Sequence, residues 1–186
     1  MRLFTGLSIG PAVLEALTHL LQQLKPAAPV KWSPIENLHI TTKFIGSWPE
    51  DRLGEMIGLL GAMPKTHAFP VTISRLGFLP NPHRPRAFLA GVQAGPELST
   101  LVTSIEDTLV TIGCSREERK YTPHVTLARI KNEDIRGLRE RIASMTDLSF
   151  GTFEAAHFHL YASEPGPRSS TYTILESFPL AAEASA

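Results

Sequence analysis

His39-Ile40-Thr41-Thr42 and His124-Val125-Thr126-Leu127 share one pattern, an imidazole and a hydroxyl two residues apart in an otherwise apolar or β-branched run. Side chains at i and i+2 of a strand point the same way. His39 and Thr41 therefore share a face, with Ile40 and Thr42 opposite, and His124 and Thr126 share a face, with Val125 and Leu127 opposite. A helix-opening signal follows each tetrad: Ser47-Trp48-Pro49-Glu50, a capping box, and Asn132-Glu133-Asp134. The lag between tetrads is 124 − 39 = 85 residues, close to half of the 186-residue chain. A duplicated strand-and-helix unit would set the two tetrad strands side by side about a pseudo-two-fold axis.

Outward from the tetrads the same alternation of elements continues. Gly10-Pro11 opens a first helix with Leu14, Leu17, Leu21 and Leu24 on one stripe, and Leu53, Met56, Ile57 and Leu60 mark the second. Gly95-Pro96-Glu97 opens the third, which carries Leu98, Leu101, Ile105, Leu109 and Ile112 and stops at Gly113. Ile135, Leu138 and Ile142 mark the fourth. Runs rich in Phe, Val, Ile and Thr predict strands over 2–9, 37–45, 68–77, 86–93, 122–130, 148–154, 156–163 and 170–178. The predicted order is β-α-β-α-β-β-α-β-α-β-β-β, an α+β chain.

Composition narrows the function classes. Lysine plus arginine equals aspartate plus glutamate at 18 each, so any anion site is local rather than a field over the whole surface. A polyanion wrapped along a large face would need many phosphate neutralisations; a single terminal phosphate would not. The one cysteine, Cys114, excludes an internal disulfide and a cysteine-based zinc site, which fits a reducing compartment. Residues 1–4 lead into a strand-like run without a signal-peptide core, and no apolar run nears the ~18 residues of a membrane helix. A cytoplasmic protein with no membrane association is expected.

Two imidazoles suit the opening of a cyclic phosphodiester. One activates water, the other protonates the departing alkoxide, and a pKa of about 6.5 lets one be neutral and the other charged near neutrality. In-line displacement needs them on opposite sides of phosphorus, which a pseudo-two-fold arrangement supplies. Thr41 and Thr126 would hold the non-bridging oxygens, and no metal or other cofactor is required. Spacing alone leaves open that both are ordinary strand histidines in a core, and alternation does not decide which imidazole is acid and which is base.

The chain resembles the bacterial and archaeal RNA 2′,3′-cyclic phosphodiesterases of the 2H phosphoesterase superfamily, first named 2′-5′ RNA ligases. The matching stretches are Arg2-Leu3-Phe4, residues 36–46 around the first tetrad, Pro85-Arg86-Ala87-Phe88, residues 121–129 around the second, and Leu160-Tyr161-Ala162-Ser163 with Tyr172. One departure is Thr42, where the family usually has a larger apolar residue; since Thr42 faces away from the tetrad face, altered packing rather than lost activity is expected. The resemblance implies a single domain over 1–180 of two pseudo-symmetric lobes, two antiparallel sheets lining a central cleft with helices outside; the closing Ala-Ala-Glu-Ala-Ser-Ala over 181–186 reads as a flexible tail. The resemblance also implies hydrolysis of RNA or nucleoside 2′,3′-cyclic phosphate ends to 2′-phosphomonoesters; no long exposed apolar stripe demands a partner, so a monomer is expected. The resemblance assigns His39 as proton donor, His124 as proton acceptor and Arg129 as a further phosphate contact. RNA end joining and non-catalytic binding of RNA ends are the alternatives; no ligase lysine motif or Gly-rich phosphate loop supports the first, and intact tetrads weigh against the second.

Strict alternation points Arg129 away from His124, so a bulge is needed to bring it round. It puts Lys43 on the His39 face, as added positive charge or a solvated rim lysine. His83-Arg84-Pro85-Arg86 offers positive charge to upstream phosphates or is a solvated loop. Trp32, Phe44, Phe88 and Tyr121 are candidates for stacking on a base, with about one of the four expected to do so and the rest to fill the core. His157 and His159 lack a carboxylate or cysteine partner and read as structural, as do His19, His67 and Cys114.

Overall fold

Strands form wherever alternation marks them, with one short addition. The computed structural model describes residues 1–167 and 169–182. The strands are β1 (Arg2–Ser8), β2 (Lys31–Trp32), β3 (His39–Ser47), β4 (Phe69–Leu79), β5 (Ala87–Ala94), β6 (His124–Arg129), β7 (Ser149–Ala155), β8 (His157–Glu164) and β9 (Thr171–Pro179). The helices are α1 (Pro11–Leu24), α2 (Leu53–Ala62), α3 (Pro96–Val110) and α4 (Arg136–Ala143). The pairing order is β7-β4-β5-β6-β3-β1-β8-β9, with β2 beside β6. This path divides into two four-stranded runs that meet at a single antiparallel register pair, Ile40 opposite Val125, between the tetrads. The expected two sheets are these halves, continuous in one strongly curled antiparallel sheet.

Each half repeats one order: a strand, a long helix, a tetrad strand and a second helix (β1-α1-β3-α2 and β5-α3-β6-α4). The long helices cross over. α1 packs on β7 of the opposite half, and α3 packs on β3 and α2. Val13, Leu17, Leu20, Leu21 and Leu24 of α1 and Leu98, Leu101, Ile105 and Leu109 of α3 are buried in the same apolar cluster as Ile40, Val125 and Leu127. Burial of each such side chain contributes roughly 1.5–3 kcal/mol, so the apolar backs of both tetrads are fixed by the core.

Helix ends follow the sequence signals unevenly. Pro11 and Pro96 stand in the first turns of α1 and α3, and Gly113, at φ +98°, follows the last turn of α3. The capping box at 47–50 does not form. Ser47 is engaged in the ladder opposite Arg2, Trp48 is buried with Arg52 over its ring at 4.8 Å, and Glu50–Arg52 makes a 3₁₀ turn before α2. Burial of the indole outweighs an exposed cap. Asp134 does receive the Arg136 N–H at 2.9 Å ahead of α4. At the start of the stretch expected as a tail, Ala181 bridges His67 and accepts the Ala68 N–H at 2.8 Å. Residues 183–186 lie outside the described residues. Among the described residues no helix is long and apolar enough to cross a membrane.

Candidate active site

A bulge sits at the fourth residue of each tetrad. Thr5 opposes Lys43 while Gly6 opposes Thr41, leaving Thr42 as the extra residue of β3. Phe88 opposes Ala128 while Leu89 opposes Thr126, leaving Leu127 as the extra residue of β6. An extra residue inverts the alternation beyond it. Arg129 is thereby brought round to the face of His124, and Phe44, its counterpart on β3, to the face of His39. Lys43 goes the other way. It is 5% exposed, donates to both Glu106 carboxylate oxygens at 2.9 Å and reaches the Ser115 carbonyl at 2.8 Å. Neither expectation for Lys43, cleft charge or rim, holds, because the bulge at Thr42 turns it into the core.

The same device orients both imidazoles. His39 Nδ1–H donates to the Asn37 carbonyl at 2.7 Å, and His124 Nδ1–H donates to the Thr122 carbonyl at 2.8 Å. A carbonyl only accepts, so each neutral ring carries its proton on Nδ1 and leaves Nε2 as its acceptor. The Thr41 hydroxyl donates to His39 Nε2 at 2.9 Å. Phe4, Tyr172 and Tyr161 pack around the His39 ring at centroid distances of 4.7, 5.3 and 5.9 Å. This burial lowers the His39 pKa below the usual 6.5; the Asn37 hydrogen bond opposes the shift, while the His124 and Arg129 charges add to it. Burial pushes the Tyr161 phenol up to about 12, so it stays protonated. Gly6 lies beneath the ring, where a Cβ would come within 2.7 Å of the Ile40 carbonyl and 3.5 Å of His39 Cδ2.

His39, Thr41, His124, Thr126 and Arg129 all line one cleft of about 490 Å³, within the usual range for small-molecule sites. Arg2 and Lys31 line it too, and among the described residues no aspartate or glutamate does. In a chain of zero net charge this is a local concentration of positive charge. Phe44 is 68% exposed there, and Trp32 is half-buried with its indole N–H donated to Ala28 O at 3.1 Å. The other stacking candidates serve the scaffold: Phe88 is fully buried, and the Tyr121 hydroxyl donates to the Thr41 carbonyl at 2.9 Å.

The basic loop at 83–86 does not line the cleft. His159 is buried between Ser8 and Ser177, bonded to each hydroxyl at 2.8 Å, and His157 is exposed beside it. His19 and His67 are exposed, and burial raises the pKa of the Cys114 thiol. Among the described residues no three His, Cys, Asp or Glu side chains gather as metal ligands. Sequence reasoning gave no role to Lys31, or to the aromatic wall of Phe4, Tyr161 and Tyr172. The wall residues lie in stretches that match the family, which was the available signal; Lys31 has no motif around it.

A family model described as LigT like Phosphoesterase matches residues 7–89 and 91–172, one tetrad in each stretch. An RNA 2′,3′-cyclic phosphodiesterase of Methanocaldococcus jannaschii is 32% identical over 180 residues, covering 96% of this chain and 100% of the relative. Another, of Aeropyrum pernix, is 36% identical over 137 residues, covering 73% of this chain and 77% of the relative. The crystal structure of TT0787 of Thermus thermophilus superposes with a TM-score of 0.84 at 26% identity, covering 99% of this chain and 100% of that one. E. coli LigT complexed with 3′-AMP shares the fold, with a TM-score of 0.78 at 23% identity over 96% and 97% of the two chains.

Proposed function

The chain belongs to the LigT-like phosphoesterase family, and on that premise we propose that this RNA 2′,3′-cyclic phosphodiesterase opens its substrate by paired imidazole catalysis without a metal. The observation that carries the mechanism is that two imidazoles, each with Nδ1–H tied to a backbone carbonyl, line one cleft that has no carboxylate among its described residues.

Water attacks phosphorus as His124 Nε2 takes its proton. The P–O3′ bond breaks in line, and His39 Nε2–H gives its proton to the 3′ oxygen. The products are a 2′-phosphomonoester and a free 3′-hydroxyl, and each imidazole has exchanged one proton. The Thr41 and Thr126 hydroxyls donate to the non-bridging oxygens, and Arg129 neutralises the charge developing there. Phe44, exposed on the wall opposite Arg129's strand, offers its face to the terminal base.

Burial of His39 disfavours its protonated form in the empty cleft. An entering cyclic phosphate brings a negative charge beside the ring and restores its proton affinity, while the desolvated Nε2–H remains a strong acid toward the alkoxide. Incubation of a nucleoside 2′,3′-cyclic phosphate with the protein and EDTA tests the proposal. Hydrolysis to the 2′-phosphate is expected. Accumulation of the 3′-phosphate would reverse the two histidine roles, and dependence on added metal would discard the mechanism.

A further inference from the structure

Two of the cations lining the cleft face each other directly: Lys31 of β2 pairs with Arg129 of β6. Like charges opposite one another across a ladder destabilise it. Here nothing relieves them. Among the described residues neither forms a salt bridge, and no carboxylate lines the cleft around them.

The backbone beneath Lys31 is nevertheless fixed. Ser33 N–H donates to the Leu127 carbonyl at 2.9 Å and its hydroxyl to the Thr126 carbonyl at 2.8 Å, so the segment is pinned onto the bulge of β6. A two-residue strand thus fixes the backbone that carries an ammonium directly opposite the one that carries a guanidinium, with no carboxylate among the described residues to balance them. Such a pair is a ready seat for an anion.

That anion is not the reacting phosphate. Lys31 is level with Arg129, which lies 129 − 124 = 5 residues beyond His124, roughly 15 Å of extended strand before the bulge shortens it. Arg129 can reach back toward the tetrads while Lys31 faces what lies beyond. We propose that Lys31, set beside the Arg129 that serves the reacting phosphate, forms a second-phosphate subsite that takes the phosphate on the 5′ side of the terminal nucleotide. The inference rests on the cleft being a cyclic-phosphate hydrolase, and it makes the enzyme prefer ends that carry this second phosphate over a bare nucleoside cyclic phosphate.

The test compares kcat/KM for three substrates: a nucleoside 2′,3′-cyclic phosphate, its 5′-phosphorylated form, and a dinucleotide ending in the cyclic phosphate. Wild type should prefer the latter two. Lys31→Gln should lower that preference about tenfold, Lys31→Glu should abolish it, and Lys31→Arg should keep it. All three variants should hydrolyse the bare nucleoside substrate within about twofold of wild type. For the dinucleotide, the dependence of log kcat/KM on log salt should be shallower in Lys31→Gln by about 0.7, the value for one contact to a single strand. Because removal of Lys31 relieves a repulsion, Lys31→Gln should melt no lower than wild type; a scaffold lysine would lower it. The subsite is overturned if the preference survives in Lys31→Gln, if the bare and extended substrates lose activity equally, or if the dinucleotide advantage is absent from the 5′-phosphorylated nucleoside. Failure of wild type to hydrolyse even the bare substrate would instead remove the hydrolase reading underneath.

Discussion

The hydroxyl of Thr42 meets that of Thr5 at 2.7 Å, and both residues are buried. This pair explains how a polar residue occupies a site where the family resemblance leads one to expect an apolar one. Thr42→Val alone strands the Thr5 hydroxyl and should cost about 1–3 kcal/mol, whereas the double change to valine should be nearly neutral. Urea titration of the three variants checks this, and cyclic-phosphate turnover should be unchanged in each because the pair faces away from the cleft. His39 and His159 both have pKa values lowered by burial from 6.5. The folded state therefore binds fewer protons than the unfolded state near pH 6, and stability should fall as pH drops below 6.5. In turnover, the limb belonging to His39 should lie at higher pH in kcat than in kcat/KM, since bound phosphate favours the imidazolium. Identical limbs in both profiles would contradict that electrostatic picture. The pairing of each histidine with its threonine on one face was legible from alternation. The carbonyls that orient the rings were not, because any residue at 37 or 122 supplies one.

At the scale of elements, the bulges matter most. In β6 the consecutive apolar residues Leu127 and Ala128 break the alternation and were a readable sign. In β3 the matching residue is Lys43, and a buried lysine hides the same sign. Its partner Glu106 also accepts the Glu117 N–H at 2.8 Å. The ion pair thereby ties β3 to α3 and to the segment that leads into the second tetrad. Lys43→Met would leave the Glu106 charge buried and should cost about 3–5 kcal/mol, while Lys43→Met with Glu106→Leu should recover much of the loss. Denaturation midpoints decide; a single variant as stable as wild type would show the pair to be dispensable. Gly6 belongs to the same scale, since a Cβ there meets the β3 backbone. Gly6→Ala should prise β1 from β3 and reduce turnover by displacing His39. Long strands and helices were legible because their periodicity is long. β2 was not, since two residues carry no period and its pairing is set by the bulge it covers.

Across the whole molecule, two four-stranded halves meet at Ile40 and Val125, and exchanged helices lock them into one core. The duplication was visible in the spacing of the tetrads, but the exchange was not, because either helix could have packed on its own half with the same apolar stripe. The consequence for function is distance control: the tetrads are neighbours across the junction, so their separation depends on the whole sheet rather than on a loop. Paired imidazole catalysis is therefore the claim on which everything else stands. The most direct measurement is single-turnover hydrolysis of a nucleoside 2′,3′-cyclic phosphate, with EDTA present, by wild type, His39→Ala and His124→Ala, each checked for an unchanged far-UV spectrum and melting temperature. Either folded variant should be slower by at least about 10²-fold. Near-wild-type rates in both folded variants would contradict the claim.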